Sequence, residues 1–115
     1  MKTNDAVTAL AALAQASRLA IYRLLLQAGP EGLAAGAVAE TLGVVPATLS
    51  FHLKELSRAG LVSSRQDGRF VIYAANFENM VKLVTFLTEN CCGGHACMSE
   101  PMCSAAEKIK QGEIA

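Results

Sequence analysis

Apolar residues recur at helical spacing in five stretches, and the chain changes to strand character once, between the fourth and the fifth. Residues 5–15 are Ala-rich, with Val7, Leu10, Ala11 and Ala14 at helical intervals. Ser17 stands where a second helix would be capped; this helix is "RLAIYRLLLQA", with Leu19, Tyr22, Arg23 and Leu26 spread around it. Gly29-Pro30 and Gly32 end it. "AGAVAETL" predicts a short third helix, Gly43 a turn, and Pro46 the first turn of a fourth helix. In that helix Leu49, Leu53 and Leu56 are four and three apart and share an inward face. Thr48, Ser50, His52, Lys54 and Glu55 fall largely on other faces, and Gly60 can supply the left-handed residue that stops the helix.

"LVSSR" and "RFVIYAA" then read as two strands of a hairpin joined through Gln66-Asp67-Gly68. The last periodic segment runs from about 76 to 90. Phe77, Met80/Val81, Val84 and Leu87 make one stripe on it, and Leu83 and Phe86 a second apolar flank. That is more apolar surface than a half-exposed helix needs, and it predicts a subunit contact. Beyond Cys103, "SAAEKIKQGEIA" reads as weakly helical or disordered. The order of elements is mainly α with a small β-hairpin, and a short helix, a Gly turn, a second helix and a hairpin together describe a winged helix-turn-helix.

Composition narrows the reading. A chain of 115 residues forms one core. Its 52% hydrophobic and 17% charged residues suit a folded domain with apolar surface to spare for a partner. No apolar run approaches 18 residues, so no membrane span is expected, and Asn4 and Asp5 stand where an export signal would be apolar. A cytoplasmic location follows as the expectation. Net charge is zero, yet residues 48–70 carry Lys54, Arg58, Arg65 and Arg69 against Glu55 and Asp67. This local basic balance is compatible with DNA, where a helix reads base edges in the major groove and cations neutralise phosphates. No G-x-S-x-G, H-E-x-x-H or P-loop motif occurs, which argues against an enzyme.

The segment "TLSFHLKELSRAGLVSSRQDGRFVIYAANF" resembles the recognition helix and wing of the ArsR/SmtB family of bacterial metal-sensing repressors. The pattern SxHLxxLxxAGLVxxRxxGRxxxY is met by Ser50, His52, Leu53, Leu56, Ala59, Gly60, Leu61, Val62, Arg65, Gly68, Arg69 and Tyr73. "ASRLAIYRLL" is similar to the family's second helix, and the resemblance spans roughly residues 6–90. It implies a homodimeric winged-helix repressor that binds double-stranded operator DNA at an imperfect palindrome. Its first and last helices would form the dimer interface, so helical dimerisation elements lie at both ends of the domain. Carried over by position, Thr48, Ser50 and His52 would read bases and Lys54 would meet phosphate. Arg65 and Arg69 are wing contacts or ordinary strand-end charges, and His52 has a second reading as a residue packed beside the turn.

All four cysteines lie in "ENCCGGHACMSEPMC", at 91, 92, 97 and 103. In a reducing compartment such a cluster argues for metal, metalloid or redox chemistry over structural disulfides. Structural zinc prefers C-x₂₋₄-C pairs, which the adjacent Cys91-Cys92 does not supply. Trivalent arsenic or antimony takes three thiolates in a pyramid. Gly93-Gly94 would let Cys97 fold back toward the Cys91-Cys92 pair. Cys103 could replace Cys97 or fill a fourth position. His95 is a further ligand or a solvent-exposed residue, and Met98 and Met102 are soft copper(I) ligands or apolar filler.

The family's Cys-Val-Cys-type arsenic site has no counterpart in "LAAGAVAETL", and its zinc site of paired His and carboxylate ligands has none in "MVKLVTFLTEN". The chain instead resembles the arsenic-responsive subgroup whose cysteines follow the last helix, beginning with "TENCC". These readings divide the chain into a DNA-binding and dimerisation domain, 1–90, and a cysteine-rich inducer-binding tail, 91–115. DNA binding would need no cofactor, and arsenite would act as inducer. Antimonite, cadmium, lead, zinc or thiol oxidation remain alternatives. Cys91 lies four residues after Leu87 and would continue the apolar stripe toward the dimer seam if the helix ran that far.

Overall fold

The computed structural model describes residues 1–94, and its elements follow the periodicity closely. Five helices, α1 (Thr3–Leu13), α2 (Ala16–Ala28), α3 (Ala35–Leu42), α4 (Pro46–Arg58) and α5 (Phe77–Thr88), accompany three short strands. These are β1 (Leu33–Ala34), β2 (Val62–Asp67) and β3 (Phe70–Ala75), and a 3₁₀ turn over Cys91–Gly94 follows α5. This is the expected winged helix-turn-helix, mainly α with a small antiparallel sheet.

The core is aliphatic and central. Ile21 and Leu25 of α2, Val38 of α3, Leu49, Leu53 and Leu56 of α4, and Leu61 are fully buried together. Burial of each such side chain contributes roughly 1.5–3 kcal/mol. The inward face of α2 is Ile21, Tyr22 and Leu25, while Leu19 is exposed. The cap of α2 is Gln15, not Ser17. The Gln15 side chain accepts the Arg18 N–H at 2.8 Å, which leaves Ser17 inside the first turn. Arg18 also donates from Nε to the Ala12 carbonyl at 2.7 Å, satisfying an open carbonyl at the end of α1.

Tyr22 is buried with its hydroxyl lacking a partner among the described residues. Burial disfavours the phenolate and pushes its pKa from 10.0 up to about 12. Between pH 10 and about 12 the unfolded chain loses this proton and the folded chain keeps it, so stability falls as pH rises across that window. Tyr22→Phe should remove this loss, on the order of 2 kcal/mol by the top of the window. Chemical denaturation at pH 8 and pH 11 checks it: the variant should gain on the wild type only at the higher pH.

The sheet has one more strand than the hairpin pattern predicted. Its order is β1-β3-β2, both pairings antiparallel, with Leu33 opposite Tyr73 and Ala34 opposite Ile72. A two-residue strand is too short for alternation to appear, and only its docking on β3 defines it. The β2–β3 register, Val62 with Ala75 through Asp67 with Phe70, leaves Gly68-Arg69 as a two-residue turn. Gly68 has φ 61° and Arg69 is not in the left-handed region, the pattern of a type II′ hairpin.

The last helix settles which of its flanks meets the core and corrects one expectation. Its core-facing side chains are Leu83, buried, with Phe77 and Phe86 packed against the core, whereas Leu87 is 58% exposed. It also ends before the cysteines. The Thr88 hydroxyl donates back to the Val84 carbonyl at 2.8 Å, Glu89 is extended (φ −59°, ψ 128°), and Asn90 turns left-handed at φ 55°. Asn is a natural left-handed residue just past a helix end. Cys91 therefore does not continue the helical stripe. It opens a separate turn closed by Gly93 N–H donating to the Asn90 carbonyl at 3.0 Å.

Candidate nucleic-acid interface and cysteine turn

The helix-turn-helix is formed by α3 and α4. Gly43 at φ 65° turns the chain, and Val44 N–H donates to the Ala39 carbonyl at 3.0 Å. Pro46 stands at the first position of α4, and the capping position, Val45, offers no side-chain oxygen. The first turn of α4 therefore keeps open backbone N–H groups, which favour anions.

Leu49, His52, Leu53 and Leu56 form the buried face of α4. At 100° per residue, Ala47, Phe51, Lys54 and Arg58 lie on the opposite side, with Thr48 and Ser50 on its flanks. All six are exposed. Arg58 pairs with Glu55 at 3.4 Å, while no ion pair is formed by Lys54 among the described residues.

One residue differs from the sequence-based assignment, and one unassigned residue stands out. His52 is only 7% exposed, and its Nδ1 has no hydrogen-bond partner among the described residues. It lies three residues after Leu49 and so turns inward with the leucines; the expected base-reading role does not fit this burial, and the packed reading does. Phe51, which periodicity alone did not single out, is 56% exposed at the centre of the outward face. Its ring centroid is 5.8 Å from that of His52. The signal for both was available in the wheel position relative to Leu49, Leu53 and Leu56.

On the wing, Arg65 and Arg69 also separate. Arg65 Nη2 donates to the Glu31 carbonyl at 2.7 Å, which ties β2 to the loop between α2 and β1. Arg69 sits exposed in the hairpin turn. The two elements flanking the sheet are clasped near the end of α4. Asn79 Nδ2 donates to the Gly60 carbonyl at 2.6 Å, Asn76 N–H donates to the Leu61 carbonyl at 2.8 Å, and Asn76 Oδ1 accepts the Asn79 N–H at 3.1 Å. The start of α5 is thus bonded directly to the end of the helix-turn-helix.

Of the cysteines, Cys91 is half-buried on the turn after α5. The side chain of Cys92 lies outside the described residues, as do His95, Cys97, Met98, Met102, Cys103 and the segment that follows. Among the described residues no group of three His, Cys, Asp or Glu is placed to hold a metal ion. Also among them, no single helix is long and apolar enough to cross a membrane.

A helix-turn-helix with a polar and basic outer face and a two-stranded wing defines the winged-helix class of transcriptional regulators. A family profile described as "Helix-turn-helix domain" matches residues 13–65. HlyU from Vibrio cholerae is 31% identical and superimposes with a TM-score of 0.63, covering 80% of this chain and 99% of its own. The homodimeric winged helix-turn-helix domain of Mb0332 from Mycobacterium bovis, described as a possible ArsR-family regulator, is 28% identical with a TM-score of 0.61, covering 83% and 88%. The nodulation protein NolR of Rhizobium meliloti is 32% identical over 80 residues, 70% of this chain and 63% of NolR. The chain spans 57% to 63% of the length of the curated relatives it matches. It shares the winged helix-turn-helix fold of these transcriptional regulators, and its solved neighbours include proteins described as ArsR-family or ArsR-like.

Proposed function

We propose that the protein is a homodimeric repressor that binds operator DNA through α4 and the wing and releases it when trivalent arsenic binds tail thiolates. The observation that carries DNA binding is the outward face of α4. Thr48, Ser50 and Lys54 are exposed there, opposite a fully buried leucine face, with Arg69 presented by the hairpin turn. Hydroxyls suit base edges or phosphates and the cations suit phosphates. Arg65 acts as a positioning residue for the wing, since its guanidinium is engaged by the Glu31 carbonyl.

A second subunit fits the apolar side of α1 and α5. Val7 and Leu10 of α1 and Leu87 of α5 are exposed, and an open groove between the N-terminus and α5 is lined by Met1, Val81, Thr85 and Phe86 with Lys82 and Glu89 at its edge. Covering these residues would pair two recognition helices for successive major grooves.

The inducer reading rests on thiolate chemistry. The adjacent Cys91 and Cys92 open a 3₁₀ turn, and Gly93 at φ 67° bends the chain just beyond them. With Cys97 as third thiolate, and Cys103 as alternative or fourth ligand, the tail meets the pyramidal preference of arsenite or antimonite. Cadmium, lead and zinc also accept thiolates. The mechanical route is α5 itself, about 18 Å long, with the cysteine turn at one end and the Asn79–Gly60 bond at the other. A shift of α5 would move the end of α4. Couplings of about 1–3 kcal/mol suffice for roughly 5–150-fold changes in affinity. A thiol-redox switch is the second reading, favoured by the adjacent cysteines.

The test is a binding titration of the reduced full chain on operator DNA over a range of salt. Lys54→Ala and Arg69→Ala should each weaken binding and lower the salt slope by about one. Unchanged slopes in both would reject the phosphate contacts. Arsenite, antimonite, cadmium, zinc and peroxide are then added in turn. Release by arsenite at the lowest concentration supports the arsenic reading, and release by peroxide alone supports the redox one.

A further inference from the structure

Phe51 stands at the centre of a face that is otherwise small, polar or cationic. We propose that Phe51 is a specificity-determining residue that reads thymine through its 5-methyl group; the proposal rests on the DNA-reading role of α4 proposed above. Its 56% exposure leaves most of the ring unburied in the folded subunit. Ala47 precedes it by one turn and Lys54 follows by one turn on the same side, with Thr48 and Ser50 beside them, all exposed. A protein interface would need a contiguous apolar centre. Other exposed large apolar residues lie off this face, on α1 and α5 (Val7, Leu10, Leu87), on the wing (Phe70, Val71) and at the cap before α4 (Val45). A single aromatic ring framed by hydroxyls and a lysine suits a groove lined by phosphates.

The chemistry of the major groove then selects the base. Thymine is the one standard base with an apolar group there, its C5-methyl, and aromatic or methyl side chains contact it. Against guanine, adenine or cytosine the ring would cover N7, O6 or the exocyclic amines while offering neither donor nor acceptor. Those polar edges would lose water without replacement, a penalty that acts against the wrong base. Phe51 therefore both favours thymine and disfavours the alternatives.

The experiment uses the reduced full chain and a half-site selected by it from a random duplex library. Each thymine is replaced singly by deoxyuridine, which removes only the methyl group, or by cytosine and 5-methylcytosine. We expect one or two positions per half-site where deoxyuridine lowers affinity about fourfold, and where 5-methylcytosine binds better than cytosine. Phe51→Ala, which removes an exposed side chain and should unfold at the wild-type temperature, should be indifferent to the methyl. Phe51→Gln should select adenine at that position, through bonds to N6 and N7. Specific binding with no methyl-sensitive position, or methyl sensitivity that persists in Phe51→Ala, overturns the assignment while leaving DNA reading by α4 intact. Failure of the wild type to enrich any sequence would overturn both.

Discussion

Gly32→Ala should lower stability by about 2–5 kcal/mol. Two effects add. Gly32 lies in the left-handed region at φ 72°, where any other residue is strained. A Cβ there would also be driven against the carbonyl oxygen of Tyr73, with the carbonyl carbon at 2.9 Å and the Ala74 Cβ at 3.1 Å. Tyr73 is opposite Leu33 in the sheet, so the obstruction is strand backbone that can yield only by moving β3 off β1. Gly43→Ala is the proper comparison. Its φ of 65° imposes similar strain, but nothing lies within 4 Å of its Cβ position. Thermal unfolding should show Gly43→Ala down by a few degrees and Gly32→Ala down by at least about 10 °C. Equal losses in the two variants would refute the steric argument. The loop holding Gly32 also carries Glu31, the anchor of Arg65, so the wing should lose its orientation and DNA affinity should fall with stability.

The double variant Cys91→Ser, Cys92→Ser should abolish release of DNA by arsenite while leaving affinity without arsenite within about threefold of wild type. The second half of this expectation follows from position. The two residues lie beyond the end of α5, whereas the exposed residues proposed to meet DNA are on α4 and the hairpin turn. The first half follows from chemistry, since a hydroxyl does not replace a soft thiolate. Cys97→Ser should shift the response to much higher arsenite if it supplies the third thiolate, and Cys103→Ser only if it supplies one too. Full arsenite response in the double variant would defeat the proposal. A third variant separates binding from transmission. Asn79→Ala removes the bond to the Gly60 carbonyl but no thiolate, so it should bind arsenite normally and release DNA less completely.

Much of this architecture was legible in the residue pattern because its signals are local. Gly43, Pro46 and Gly60 mark the turn and the limits of α4, and Leu49, Leu53 and Leu56 fix its inward face. Gly68 fixes the wing. The misreadings have equally specific causes. Ser17 is a better cap residue in general than Gln15, but a longer side chain that reaches the Arg18 N–H occupies that role. The chemistry of His52 groups it with the polar residues, but its spacing from Leu49 puts it with the buried ones. Apolarity alone could not say which side of α5 faces the core; contacts with the rest of the domain assign Leu83 and Phe86 inward and leave Leu87 outside.

What the sequence determined by itself was the kind of fold and the order of its main elements. Helical and strand periodicity, turn glycines and thiol clustering are properties of neighbours along the chain. The tertiary structure decided which of those residues are buried, exposed or already engaged. It buried His52 and exposed Phe51, turned Arg65 from a wing charge into a wing anchor, added β1, and bonded Asn79 of α5 to the end of the helix-turn-helix. It also ended α5 at Thr88, so Cys91 and Cys92 stand on a turn of their own. Each of these depends on groups far apart in the chain meeting in space, which no local pattern records.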